Sequence, residues 1–142
     1  MLVGVNLTIT VSGTLEFPNA VPQEQAEALG PELWPQPDLN AADGLTLNGW
    51  TVETGHALSN GSNGVLEATA LEPLTPGTYR VVGSYGGEGG LSIQVGGVGS
   101  VVEEAGAFTR DIVTTAVMQS IRVRDVDTAG LSLESLSVKR VL

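Results

Sequence analysis

The stretch GTYRVVGSYGGEGGLSIQVGG, residues 77–97, decides the fold. In an extended chain Tyr79, Val81 and Tyr85 share one face across Gly83. Leu91, Ile93 and Val95 likewise face one way, with Ser92 and Gln94 opposite. A period of two, carried by β-branched and aromatic residues, marks strands packed on one side. The glycines at 86–90 and 96–97 fall where hairpin loops need positive φ. The stretch therefore predicts two strands, near 77–85 and 91–96, joined by a glycine-rich turn.

Working outward, the same texture predicts strands near 46–53, 64–71, 98–103, 107–114, 117–126 and 131–141. Their separators are turn chemistry: Asn60 to Gly64, Pro73 to Gly77, Ala105-Gly106, and Asp127 to Gly130. Ile121 and Val123 lie on one face and Arg122 and Arg124 on the other. The last segment changes phase, because Leu131 and Leu133 alternate in one register and Leu136 and Val138 in the other. One extra residue near Glu134-Ser135 returns both pairs to the core, which predicts a β-bulge there. Many short strands with frequent turns define an all-β chain, a jelly-roll-like antiparallel sandwich.

Toward the N-terminus Val3, Val5, Leu7, Ile9 and Val11 alternate with Gly4, Asn6, Thr8 and Thr10, which predicts a half-buried strand. Thr14 to Phe17 follow as a short second strand. Residues 22–29 (PQEQAEAL) predict about two helical turns stopped by Gly30-Pro31, and residues 30–44 an irregular, proline-stiffened connector. The expected organisation is an extension over 1–30, a candidate anchoring or oligomerisation arm, followed by a sandwich over 31–142. The apolar face Val3, Val5, Leu7, Ile9 and Val11 is the candidate shell or oligomer contact.

The 142 residues carry 16 Asp and Glu against 6 Lys and Arg, for a formal net charge of −10. Residues 1–79 hold nine acids and no Lys or Arg, and residues 80–142 hold seven acids against six bases. Such a balance opposes binding to phosphate backbones, so no nucleic-acid partner is expected. No window approaches the apolar length of a transmembrane helix, so no membrane partner is expected. Residues 2–11 lack the basic and continuously apolar regions of a signal peptide, which gives an expectation of synthesis in a host cytoplasm. With no Cys, thiolate metal sites, disulfides and a Cys nucleophile are all excluded.

The candidate chemistry is sparse. His56 is the lone histidine, in a polar turn, and no Gly-x-Ser-x-Gly elbow exists to expose a nucleophilic serine. Asp125-Val-Asp127-Thr-Ala-Gly130 opens like a calcium loop, but Leu136 stands where the twelfth-position Glu belongs, so a turn with exposed acids is expected. Glu103 and Glu104 are adjacent on a strand end and point to opposite faces, which rules them out as a glycosidase pair. No glycine cluster is followed by Lys-Ser or Lys-Thr, so phosphate cradling is unsupported. The expectation is a non-enzymatic chain without catalytic residues, metal or cofactor. Of six aromatic residues, Trp50 is expected in the core, Trp34 packed beneath the connector, and Tyr79 and Tyr85 half-buried.

From Pro31 onward the order of motifs is Glu32-Leu33, then Gly49-Trp50-Thr51-Val52, then Leu74-Thr-Pro-Gly-Thr-Tyr79-Arg-Val81, then a glycine-rich strand pair and a Leu-Ser-Val ending at 136–138. This order resembles the carbohydrate-binding-module-like jelly rolls of bacteriophage virion proteins. Members of that family often open with Asn-Gly-Asp-Phe after Glu-Leu. Here Trp34-Pro-Gln-Pro-Asp38-Leu39-Asn40 stands in its place, so no metal or sugar site is carried over from that opening. The resemblance implies a structural protein on the exterior of a virion. The expected role is a capsid decoration or cement protein, with the major capsid protein and neighbouring copies of itself, as a trimer, for partners. The alternative is a carbohydrate-binding adhesin domain of a tail or cell surface, with a host-surface glycan contacting exposed Trp34 or Tyr85.

Overall fold

A computed structural model describes residues 28–60, 64–126 and 130–142. The described chain forms β1 (Leu29–Glu32), β2 (Thr46–Asn48), β3 (Trp50–Glu53), β4 (His56–Ser59), β5 (Val65–Thr69) and β6 (Gly77–Gly87). It continues with β7 (Leu91–Val95), β8 (Val98–Val102), β9 (Gly106–Thr114), β10 (Ser120–Asp125) and β11 (Leu131–Val141). Two antiparallel sheets result. The first runs β3-β4-β11-β6-β9, with β1 also pairing β11, and the second runs β2-β5-β10-β7-β8. The expected jelly-roll sandwich is the observed fold.

Alternation explains which side of each strand is buried. Strands β7 and β10 bury Leu91, Ile93, Val95, Ile121 and Val123 and leave Ser92, Gln94, Arg122 and Arg124 on the solvent side. In β6 the inward residues are Tyr79, Val81, Gly83 and Tyr85. Gly83 is paired with Phe108 on one side and Leu136 on the other. A Cβ there would stand 2.6 Å from the Ser135 carbonyl oxygen and 2.7 Å from Phe108 Cζ, so only glycine admits the Phe108 ring. That ring meets Tyr85 edge to face, with centroids 6.2 Å apart.

The phase break in the last strand is a bulge. The register between β11 and β6 shifts between Leu133 and Ser135, and Leu131, Leu133, Leu136 and Val138 are all buried. Just past the bulge, the Leu136 N–H donates to the Pro37 carbonyl at 3.1 Å. The proline connector is thus fastened to the bulged strand, and Leu33, Trp34 and Leu39 from it are core residues.

Several expectations need correction. Leu29 is not the end of a helix but the first residue of β1, whose Leu29 and Glu32 face Val141 and Lys139 of β11. The sandwich therefore begins ahead of residue 31, and the connector is irregular only after Glu32. Partnering by β11 overrides a weak helical preference in a segment containing Gly30 and Pro31. The strand expected at 46–53 is two strands in different sheets, with Gly49 at φ 76° making the switch. His56 opens β4 rather than lying in a turn, since Ala57 and Ser59 alternate inward against the core. The extension over residues 1–27, with its expected strands and most of its expected helix, lies outside the described residues.

A buried tie between two side chains crosses between the sheets. Ser59 Oγ on β4 donates to Asp125 Oδ2 on β10 at 2.8 Å, and the Gly130 N–H donates to the same oxygen at 2.8 Å. Asp125 is completely buried, so it is a structural carboxylate and not an exposed turn acid.

Two substitutions test this account by denaturant unfolding. Gly83→Ala is expected to cost about 1–3 kcal/mol through overpacking against Phe108. Asp125→Ala is expected to cost about 2–4 kcal/mol, because Ser59 and Gly130 lose the buried acceptor they share.

Candidate functional site

The sandwich core takes the aromatic rings. Trp34 is 0% exposed, Tyr85 1% and Trp50 3%. Tyr79 and Phe108 are buried as well, so every aromatic side chain among the described residues is internal. Each buried polar edge of Trp34, Tyr79 and Tyr85 has a backbone partner. Trp34 Nε1 donates to the Gln36 carbonyl at 3.1 Å, and Tyr79 Oη donates to the Thr75 carbonyl at 2.8 Å. Tyr85 Oη lies 3.0 Å from the Val102 carbonyl. Trp34 and Trp50 are thus core residues as expected, while Tyr79 and Tyr85 are fully rather than half buried. The expected glycan contacts Trp34 and Tyr85 present no ring to solvent. Packing between the sheets holds both inside. The candidate contact Val3, Val5, Leu7, Ile9 and Val11 lies outside the described residues.

The remaining sequence candidates fall apart in space. His56 is half-buried, with Nε2 3.5 Å from Glu53 Oε1 across the β3–β4 turn. Glu103 and Glu104 are exposed on the connection from β8 to β9. Among the described residues no group of three or more His, Cys, Asp or Glu side chains is placed to hold a metal ion. No helix among them is long and apolar enough to cross a membrane.

What the structure does assemble is a polar row across the solvent face of the second sheet. Register places Thr46 beside Glu67, Glu67 beside Arg122, Arg122 beside Gln94, and Gln94 beside Gly99. The row crosses all five strands, which is about 19 Å at ordinary strand spacing. A second row runs Asn48, Val65, Arg124, Ser92 and Val101. Arg122 Nε donates to Glu67 Oε2 at 2.9 Å, the one side-chain bond Arg122 makes among the described residues. Its terminal nitrogens have no hydrogen-bond partner among the described residues. Gln94 extends over Gly99, where a Cβ would stand 3.3 Å from Gln94 Cγ, and its amide makes no hydrogen bond among the described residues. Donors and acceptors thus sit side by side on a rigid sheet, held by the strand backbones beneath them. Period-two alternation revealed that Arg122 and Gln94 face outward. The cross-strand register that brings them together was not readable, because it is set by long-range pairing.

On the solvent face of the first sheet several polar groups are engaged with one another. Arg80 and Asp111 form a two-point pair, Nε to Oδ1 and Nη2 to Oδ2, both 2.8 Å. Ser137 Oγ donates to Glu32 Oε1 at 2.6 Å, and Ser84 Oγ reaches Glu134 Oε1 at 3.4 Å. The Arg80 hydrogen bonds hold the Asp111 carboxyl below the usual carboxylate range.

No protein-family model matches the chain, and no curated protein matches it in sequence. Solved structures do match. The family 35 carbohydrate-binding module from Paenibacillus barcinonensis superposes with a TM-score of 0.53 at 23% identity, covering 69% of this chain and 94% of that one. A family 29 carbohydrate-binding module complexed with cellulohexaose gives a TM-score of 0.51 at 15% identity, covering 72% and 87%. The structural neighbours are thus carbohydrate-binding modules of jelly-roll fold.

The Arg80–Asp111 pair gives a pH test on the first sheet. A carboxyl held low in the folded state stabilises above its unfolded pKa, roughly 4, and that contribution disappears as pH falls through the lower folded value. Asp111→Asn is therefore expected to cost no more than about 1 kcal/mol near pH 7, the pair being largely solvent-exposed. In acid the variant and the parent should unfold alike, as read by thermal melts across the pH range.

Proposed function

We propose that this chain is a non-catalytic glycan-binding module whose ligand lies across the solvent face of the second sheet. The observation that carries the reading is the row Glu67, Arg122 and Gln94 on a sandwich of carbohydrate-binding-module type. Sugar hydroxyls both donate and accept hydrogen bonds, so they need both kinds of partner at fixed spacing. Glu67 supplies an acceptor, Arg122 supplies donors and the Gln94 amide supplies both. With the aromatic rings of the described residues enclosed, recognition falls to these side chains and to the flat guanidinium and amide surfaces they present.

Of the two functional expectations, the structural neighbours support glycan binding over capsid decoration. The major capsid protein and a trimer of self-copies gain no support from them. A place on the exterior of a virion is a separate proposal, carried by the sequence resemblance. There the same face would act as an adhesin toward host-surface glycans.

Affinity electrophoresis through a panel of soluble neutral and acidic polysaccharides, backed by a glycan array, tests the reading. Retardation by at least one glycan is expected. Arg122→Ala and Gln94→Ala should each weaken it about tenfold, the effect of losing one to two ligand hydrogen bonds. Arg80→Ala on the opposite face should leave it unchanged. Indifference to the whole panel, or equal loss in all three variants, overturns the assignment.

A further inference from the structure

The second sheet does not end at its two polar rows. Past Asp125 the pairing of β10 with β7 runs on by one step, with the Val126 N–H donating to the Gly90 carbonyl at 3.1 Å. Leu91 pairs with Val102, so the same step on the other side sets Gly90 beside Glu103. Alternation puts these positions on the face that Arg122, Arg124, Ser92 and Gln94 occupy. The face thus carries a third row, Val126, Gly90 and Glu103, about 13 Å from Gln94 along the chain of β7.

Gly90 has no side chain, so this row is hollow in the middle. A bowl of about 350 Å³ lies there, bordered by Val126, Val101 and Glu103. Val101 is 46% exposed and Val126 45%, so both offer methyl groups to an occupant. A second hollow, of about 550 Å³, lies at the passage from β8 to β9. It shares Val101 and Glu103 with the bowl, and Glu104, Thr109 and Arg110 help make its lining mainly polar. Strand β8 is an edge of its sheet, so the face continues over Val101 and Glu103 into this groove.

The two hollows suit successive parts of one sugar chain. A sugar ring packs its C–H groups on aliphatic side chains and turns its hydroxyls toward donors and acceptors. Val101 and Val126 supply the first kind of contact, and the Glu103 carboxylate accepts from hydroxyls. In the groove Arg110 supplies donors. Among the described residues its guanidinium makes one hydrogen bond, Nη1 to the Thr109 carbonyl at 3.0 Å. A ligand that touches Gln94, the bowl and the groove must be longer than a disaccharide.

Charge narrows the class of that ligand. Arg122, Arg124 and Glu67 stand on the rows, and Glu103, Glu104 and Arg110 border the hollows. Positive and negative side chains are equal in number along this path, although the whole chain carries a net charge of −10. A balanced path favours an uncharged, hydroxyl-rich polymer over an acidic one.

We propose that the bowl over Gly90 and the groove between β8 and β9 are further sugar sites of the second-sheet face, and that together they bind a long neutral polysaccharide. The proposal rests on the glycan reading of that sheet.

Isothermal titration with ladders of two to six sugars from cellulose, mannan, xylan and polygalacturonate tests it. In a neutral ladder, affinity should rise at least tenfold from the trisaccharide to the hexasaccharide. Arg110→Ala and Glu103→Ala should each lower hexasaccharide affinity about five- to tenfold, the effect of one lost ligand hydrogen bond, and so flatten the rise. Arg80→Ala should keep it, and thermal melts matching the parent should show all three variants folded. A rise that survives in both Arg110→Ala and Glu103→Ala overturns the extension and leaves the sheet reading standing, as does a plateau by the trisaccharide. Preference for polygalacturonate overturns the neutral class. Failure of every ladder to bind overturns the sheet reading and the extension together.

Discussion

Everything in the first sheet depends on one extra residue in β11. Without the bulge at Glu134, Leu131 and Leu133 or Leu136 and Val138 would face water, because a strand's side chains alternate with a period of two. With it, all four are buried, and β11 holds β6 along one side and both β4 and β1 along the other. Beside the bulge, the Leu136 amide binds the Pro37 carbonyl and fixes the proline connector. That attachment brings Leu33, Trp34 and Leu39 into the core. A local irregularity thus sets which side chains of β11 are buried and lies beside the bond that fastens a segment about a hundred residues earlier in the chain.

The same packing shapes what the surface can do. The few rings fill the interior, where Tyr85 and Phe108 meet over Gly83 and Tyr79 bonds back to Thr75. A large ring buried between sheets contributes more to stability than any exposed contact of comparable area. The solvent faces are consequently polar, and they are not equivalent. On the first sheet Arg80 and Asp111 satisfy each other at two points, whereas on the second Arg122 uses only Nε toward Glu67 and Gln94 has no hydrogen-bond partner among the described residues. Unused hydrogen-bonding capacity on a rigid sheet is what a hydroxyl-rich ligand can take up.

The sequence carried the strands that alternate cleanly, such as Leu91 to Val95 and Ser120 to Asp125, and it carried the bulge, since a phase change has one economical explanation. It missed β1 and β4. Each is four residues long and bounded or interrupted by turn residues; β1 is a strand through its pairing with β11, and β4 through its pairing with β3 and β11. It placed His56 in a turn and Asp125 at an exposed one. Burial of a short polar segment is decided by what covers it, and the cover here comes from distant strands.

Composition and periodicity by themselves determined an acidic, cysteine-free, all-β chain with a jelly-roll pattern. They determined which side chains of each regular strand face outward, because that is a local property of the pleat. Only the tertiary structure decided which outward residues stand together, that Trp34 and Tyr85 are enclosed, and that β9 is the longest edge strand among the described residues. Those outcomes rest on register and strand order, which are fixed by contacts between residues far apart in the chain, and a period-two pattern is the same whichever neighbour a strand takes.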